Sequence, residues 1–328
     1  MPQPTPPPSL PEGIWAPTQV FFHDYDADTT SLDLETIALH AVRLARAGVA
    51  GLVTNGSNGE AVHLTAPERA QVTRTTRAAL DAAGFAHLPV MAGASDQSLQ
   101  GTLALIEDAR QAGAAAVLLL VPSFFRWAMD AAAIENYFVA VADRSSVPVV
   151  IYNYPGAVAG LDLDSDMLVR LAQHPNIVGT KFTCGNIGKL ARVAAAVNGA
   201  AGRAEYRCFS GVADAITPAL AVGGHGGIVG AANVFPRACV EVYDLFMEGK
   251  WEEARIKQQR LALADWALTK RAIPGFKAIL SKFHGYGGIP RLPVQSLSKE
   301  AEELLFSEVE EMMKVEQQLK DFGRPTQS

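Results

Sequence analysis

The feature that most constrains this chain is a rhythm of short apolar runs alternating with longer stretches whose apolar residues recur every three or four positions. The runs are Ile14 to Phe22, Gly51 to Asn55, Pro89 to Ala92, Ala116 to Val121, Val147 to Tyr152, Ile177 to Lys181, Arg207 to Ser210 and Gly227 to Gly230. Several are nearly continuous Val, Ile and Leu, which reads as parallel strands covered on both faces. Between them, Leu34, Ile37, Ala38, Ala41 and Leu44, or Met167, Leu168, Leu171 and Ala172, mark one face of a helix. Ser31 and Asp164–Ser165 serve as cap signals. Strand–helix units repeated over roughly 220–250 residues match the size of a closed eightfold barrel. An open doubly wound sheet would carry a glycine-rich phosphate turn after its first strand, and none follows here. The expected fold is α/β, a (β/α)8 TIM barrel with a C-terminal helical extension.

The barrel is expected over residues 13–233, preceded at 1–12 by a disordered proline-rich leader, MPQPTPPPSLPE. Beyond Val234 the Phe235–Glu248, Trp251–Leu268, Pro274–Lys282 and Ser298–Phe322 regions are all helical, more than one barrel repeat needs. They read as an extension over 234–322, packed on the barrel and available to another subunit, with 323–328 as a frayed tail. The leader has neither the basic nor the apolar region of a secretory signal. The longest apolar stretch, Ala114 to Pro122, is too short to span a bilayer. The cytoplasm is therefore the default compartment, with a processed mitochondrial leader left open. A net charge of −6 argues against nucleic acid as a partner but not against a small anion in a locally positive pocket. Cys184, Cys208 and Cys239 are widely spaced and odd in number, which suggests neither a zinc site nor a disulfide framework, so no metal is expected.

Barrels collect their chemistry at the carboxyl ends of strands. The second run ends in Asn55-Gly56-Ser57-Asn58-Gly59-Glu60, a tight turn offering hydroxyl, amide and backbone N–H groups to a carboxylate; it reads equally as an ordinary turn. The fifth ends at Tyr152, which either relays a proton or fills the mouth of the barrel. The sixth, Asn176-Ile177-Val178-Gly179-Thr180-Lys181-Phe182-Thr183, is the informative one. A lysine ending an apolar strand is costly unless it snorkels to the rim. Desolvation would instead yield the neutral amine that attacks a carbonyl. Its strand position favours the second reading. The small residues of the eighth run, Gly226 to Ala232, suit either a ligand above the barrel or close helix packing.

Taken together, GSNGE (56–60), IYNYPG (151–156), NIVGTKFT (176–183), FSGVAD (209–214) and GGIVGAANVFP (226–236) resemble the N-acetylneuraminate lyase/dihydrodipicolinate synthase superfamily of class I aldolases. The resemblance covers about Gly13 to Leu305, with every motif in order. It implies that Lys181 forms a Schiff base with a 2-oxo acid such as pyruvate and that Tyr152 moves protons. It places Ser57 and Asn58 on the substrate carboxylate, Thr183 near the substrate's far end, and Gly211 and Ile228 along the keto-acid pocket. No cofactor beyond the covalent imine is implied. The partner is a small-molecule 2-oxo acid, with no membrane or nucleic acid, and the chain is expected to form a homo-oligomer, a dimer or tetramer.

Two departures bear on the substrate. Where dihydrodipicolinate synthases carry an arginine for a second carboxylate, this chain has Ala157; Arg126 is the available substitute on another loop. Where many relatives carry a tyrosine pair, it has Phe124 and Phe125, without hydroxyls. The segments GSNGE, Lys270 to Lys277 and Tyr286-Gly287-Gly288 are similar to 4-hydroxy-2-oxoglutarate aldolases, and YNYPGAVAGLDLDSDM and KFTCGNIGKL to fungal 2-keto-3-deoxy sugar-acid aldolases. The expected reaction is thus retro-aldol cleavage of a 4-hydroxy-2-oxo acid to pyruvate and an aldehyde. The alternatives are condensation of pyruvate with aspartate-semialdehyde, or a non-catalytic keto-acid-binding barrel.

Overall fold

A computed structural model describes residues 10–23, 31–199, 203 and 205–323. Eight parallel strands close in chain order into a barrel: β1 (Gly13–Pro17), β2 (Gly51–Thr54), β3 (Val90–Gly93), β4 (Ala116–Leu119), β5 (Val149–Asn153), β6 (Ile177–Phe182), β7 (Arg207–Ser210) and β8 (Gly226–Ile228). β8 pairs with β1 to complete the ring. Around it run α1 (Leu34–Ala47), α2 (Ala66–Ala82), α3 (Leu99–Gln111), α4 (Ala131–Ala142), α5 (Ser165–Leu171), α6 (Ile187–Asn198), α7 (Ile216–Ala221) and α8 (Pro236–Met247). Three further helices follow, α9 (Trp251–Thr269), α10 (Ala272–His284) and α11 (Lys299–Gln318).

The apolar runs are continuous because each strand is packed on both sides. Trp15, Val53, Met91, Leu118, Val150 and Phe209 fill the inside of the barrel. Outward-facing residues such as Leu52, Val90, Val117, Val149 and Ile177 meet the helices. Helices α1 to α6 and α11 begin where short polar side chains take up orphan N–H groups. Asp164 caps α5 as expected, by accepting from Met167 N at 2.8 Å. The cap of α1 is Asp33, not Ser31, because Asp33 accepts from Thr36 N at 2.9 Å.

The first strand is shorter than its apolar run. It stops at Pro17, which has no N–H for the ladder, and Phe22 makes only an isolated antiparallel bridge to Leu32. Residues 1–9 of the expected leader and 324–328 of the expected tail lie outside the described residues. Residues 10–12 are packed: Leu10 is buried in the inner cluster, and its carbonyl accepts from Arg207 Nε at 3.0 Å. Pro11 O accepts from the Trp15 indole at 3.1 Å. These residues plug the amino-terminal end of the barrel, leaving the opposite mouth for a ligand.

One irregularity decides which side chains face that mouth. Between β5 and β6 the register slips: Val149 pairs with Ile177, but Val150 pairs with Gly179. Strand side chains alternate faces, so an extra residue reverses the sides of everything after it. Val178 and Lys181, three residues apart, therefore both point inward, while Thr180 turns outward to bond the Tyr206 hydroxyl at 2.5 Å. The same slip sets Tyr152 opposite Lys181.

Candidate active site

Lys181 is 3% exposed, and its Nζ stands 4.2 Å from the centroid of the Tyr152 ring. Among the described residues no carboxylate pairs with it. Desolvation alone pulls the ammonium down from the ordinary 10.5 to about 7, so near neutral pH much of the amine is unprotonated and nucleophilic. Tyr152 is buried too, and burial pushes its phenol up, opposed by the Ser57 and Thr183 hydroxyls. The Thr183 Oγ1 is itself buried and makes no well-formed hydrogen bond among the described residues. Tyr154 stacks on Tyr152, with centroids 5.5 Å apart.

The turn after β2 is held rigidly. Asn55 and Glu60 bracket it in the left-handed region at φ 53° and 49°, a conformation that side chains other than glycine keep only when their surroundings fix them. Asn55 Nδ2 donates to Arg69 O at 2.9 Å and to Thr73 Oγ1 at 3.0 Å. Glu60 is fully buried in an ion pair with Lys277 at 2.7 Å and also meets His63 at 3.0 Å and the Arg291 N–H at 2.9 Å. Desolvation by the apolar surroundings lowers the Lys277 ammonium, against the pull of Glu60. Gln19 Nε2 donates to Asn58 Oδ1 at 3.3 Å, which leaves the Asn58 amide N–H groups to face a ligand. Gln19 is itself placed by Asn233, whose Oδ1 accepts from the Gln19 N–H at 3.1 Å.

A cavity of about 270 Å³ brings together Lys181, Tyr152, Ser57, Asn58, Thr183 and Gly211. Ile228 does not reach it; that residue lies in the barrel interior below, and Gly230, two positions on, lines the wall. Two glycines are required by close approach. A Cβ at Gly211 would fall 1.8 Å from Thr183 Oγ1, and one at Gly230 would press within 2.9 Å of Phe276. A second cavity of about 390 Å³ adjoins the first across Ser57, Tyr152, Tyr154 and Ile273, with Ala157 on its wall. Arg126 is exposed and lines neither cavity. Phe124 and Phe125 are 77% and 58% exposed and belong to neither wall.

Sequence reasoning missed the far wall. Asp265 and Thr269 of α9, and Ile273 and Phe276 of α10, close the cavity from the extension, which thus completes the site as well as packing on the barrel. An available signal was the aspartate set among Leu261, Ala264 and Leu268 on the buried stripe of α9. Among the described residues no group of His, Cys, Asp or Glu could hold a metal ion.

A cavity of this shape can hold a carboxylate on the Ser57–Asn58 turn while its neighbouring ketone meets a neutral amine. Residues 14–312 match the Dihydrodipicolinate synthetase family. The chain belongs to that family. It is 51% identical to the L-threo-3-deoxy-hexylosonate aldolase of Hypocrea jecorina, over 95% of this chain and 99% of the relative. It is 43% identical to the "Probable 4-hydroxy-2-oxoglutarate aldolase, mitochondrial" of Emericella nidulans, over 94% of this chain and 96% of the relative. The crystal structure of a dihydrodipicolinate synthase family protein from Coccidioides immitis superposes with a TM-score of 0.85 at 35% identity, covering 96% of this chain and all of that one. Dihydrodipicolinate synthetase family aldolases work through a covalent Schiff base on lysine and take no external cofactor. The protein is an enzyme of this class I aldolase type, a lyase that cleaves a keto acid by the retro-aldol route.

Proposed function

We propose that Lys181 is the Schiff-base lysine and that the enzyme cleaves a 4-hydroxy-2-oxo acid into pyruvate and an aldehyde. The observation that carries this is a desolvated amine, with no carboxylate partner among the described residues, against the Tyr152 ring and in the same cavity as the Ser57–Asn58 turn. Nζ adds to the C2 ketone, Tyr152 gives its phenolic proton to the departing water, and a protonated imine remains. The Tyr152 phenolate so formed, beside the amine, then takes the proton of the C4 hydroxyl. The C3–C4 electron pair then moves into the imine, releasing the aldehyde and leaving an enamine. Protonation at C3 and hydrolysis return pyruvate and the free amine. Ser57 and Asn58 hold the C1 carboxylate throughout, so their donors are fixed before charge moves.

Condensation with aspartate-semialdehyde is disfavoured because Ala157 offers only a methyl group where a second carboxylate would need a cation. Borohydride reduction with pyruvate followed by peptide mass spectrometry tests the assignment. The expected adduct sits on Lys181; an adduct elsewhere, or none, refutes it.

A homo-oligomer, dimer or tetramer, belongs to the same proposal. Phe124, Phe125 and Trp127 form an exposed aromatic patch beside Arg126, the composition that interfaces favour. A sedimentation experiment in which Trp127→Glu leaves the association unchanged would remove the patch from that role. The cytoplasm is the proposed compartment. Among the described residues no helix is long and apolar enough to cross a membrane. Cell fractionation distinguishes the cytoplasm from the mitochondrion named for the Emericella nidulans relative.

A further inference from the structure

The substrate cavity has two unlike ends. One is the Ser57–Asn58 turn, which presents donors. The other is formed where α9 crosses the β7 turn, and it presents acceptors. Asp265 is 4% exposed, yet it lines the cavity together with Thr269, Thr183 and Gly211. Its Oδ2 accepts from the backbone N–H groups of Ala213 at 2.9 Å and Asp214 at 3.0 Å. Those bonds fix the carboxylate plane and leave Oδ1 without a protein partner among the described residues. No lysine or arginine pairs with it there. The buried Thr183 Oγ1 on the same wall is likewise unpartnered. Polar atoms of buried side chains are normally satisfied, so a fixed carboxylate on the cavity lining with one oxygen unpartnered points to a ligand donor that satisfies it.

Geometry fixes which part of a substrate meets this wall. With C1 at Ser57 and Asn58 and C2 on Lys181, the chain beyond C4 continues along the rest of the lining, where Thr183, Asp265 and Thr269 supply polar groups among Val212, Ala272 and Ile273. We propose that Asp265 is a specificity-determining residue that accepts a hydrogen bond from a hydroxyl on the aldehyde-forming end of the substrate. It thereby selects a neutral polyhydroxy tail over one that ends in a carboxylate. A hydroxyl tail donates to Oδ1 and can bridge to Thr183 and Thr269. A carboxylate tail brings a second negative charge against Asp265 in a water-poor wall with no cation to offset it. The inference rests on the retro-aldol reading above and names its substrate class: 2-keto-3-deoxy sugar acids, which release glyceraldehyde, rather than 4-hydroxy-2-oxoglutarate, which releases glyoxylate.

The competing account is that Asp265 only pins α9 to the β7 turn. Asp265→Asn separates the two, because the asparagine Oδ1 can still accept both backbone N–H groups while the cavity now meets an amide donor. The variant is compared with wild type on a 2-keto-3-deoxy-hexonate and on 4-hydroxy-2-oxoglutarate. Loss of a charge-assisted hydroxyl contact should lower kcat/KM for the sugar acid by ~10- to 100-fold, while 4-hydroxy-2-oxoglutarate is unaffected or improved. An equal loss on both substrates, or an unchanged ratio, overturns the proposal. Wild type supplies a test that needs no variant: in the condensation direction with pyruvate, glyceraldehyde should be preferred to glyoxylate, and the reverse preference overturns it. Borohydride trapping of pyruvate on both proteins keeps the two claims apart. Trapping at Lys181 with an unshifted ratio sinks the role of Asp265 alone, whereas absent trapping sinks the lysine chemistry on which it rests.

Discussion

Replacing Lys181 with methionine should abolish pyruvate trapping and, at the same time, make the protein more stable. A depression of the amine from 10.5 to about 7 corresponds to roughly 5 kcal/mol between its two protonation states. The cost is absent above pH 10.5, where the amine is neutral in both folded and unfolded chains. It grows as pH falls from 10.5 toward 7, because the unfolded chain takes up a proton that the folded one resists. Below pH 7 it is complete. Lys181→Met removes it, for a gain on the order of 4 kcal/mol at pH 7. With an unfolding entropy of ~2.1 cal/mol/K per residue, this gain raises Tm by roughly 6 °C. Thermal melts of both proteins across pH 6 to 10 provide the assay. The difference should be largest at pH 7 and below and shrink steadily toward pH 10, down to whatever the apolar side chain adds on its own. A Tm difference that does not vary with pH would show that the amine is solvated, and the proposed nucleophile would go with it.

Three other substitutions probe the remaining parts of the site. Tyr152→Phe should lower kcat by ~10²- to 10⁴-fold with little change in KM, because the ring still fills its place and only the proton relay is lost; stopped-assay kinetics decide this. Asn58→Ala should raise KM by ~10-fold or more with a smaller effect on kcat, since a carboxylate donor is removed while the amine is untouched. Glu60→Gln leaves the buried Lys277 ammonium with the Ile289 carbonyl at 2.7 Å but no counter-charge; it should cost roughly 3–5 kcal/mol, and a melt within a degree of wild type would show that the pair does not hold the turn.

The barrel was legible because eight apolar runs leave few other ways to cover both faces of each strand. The proposed nucleophile was legible for a related reason: an ammonium at the end of Ile177–Lys181 is expensive unless it is used, whereas Tyr152 read equally as a ring filling the mouth until the family resemblance was weighed. The register slip at Val149–Val150 was not legible, because one extra residue in an apolar strand changes no composition and no period that a short run can display. Asp265 was hidden by distance along the chain. It sits 84 residues past Lys181, on a helix whose stripe reads as ordinary packing until the helix is seen to cross the mouth of the barrel. The Asp33 cap was missed because Ser31 competes for the same role within two positions, and only the backbone geometry separates them.

The reversal of sides along β6 also says something about how fragile this chemistry is to change in length. Insert one more residue between Val178 and Thr180, beyond the extra one the slip already absorbs, and every later side chain on the strand swaps layers. The amine would move out among Leu190 and Val193, a stray cation in an oily seam, and Thr180 would take over the lumen. Composition would hardly differ, and the barrel could still close. The enzyme's identity is therefore written in a count as much as in a residue.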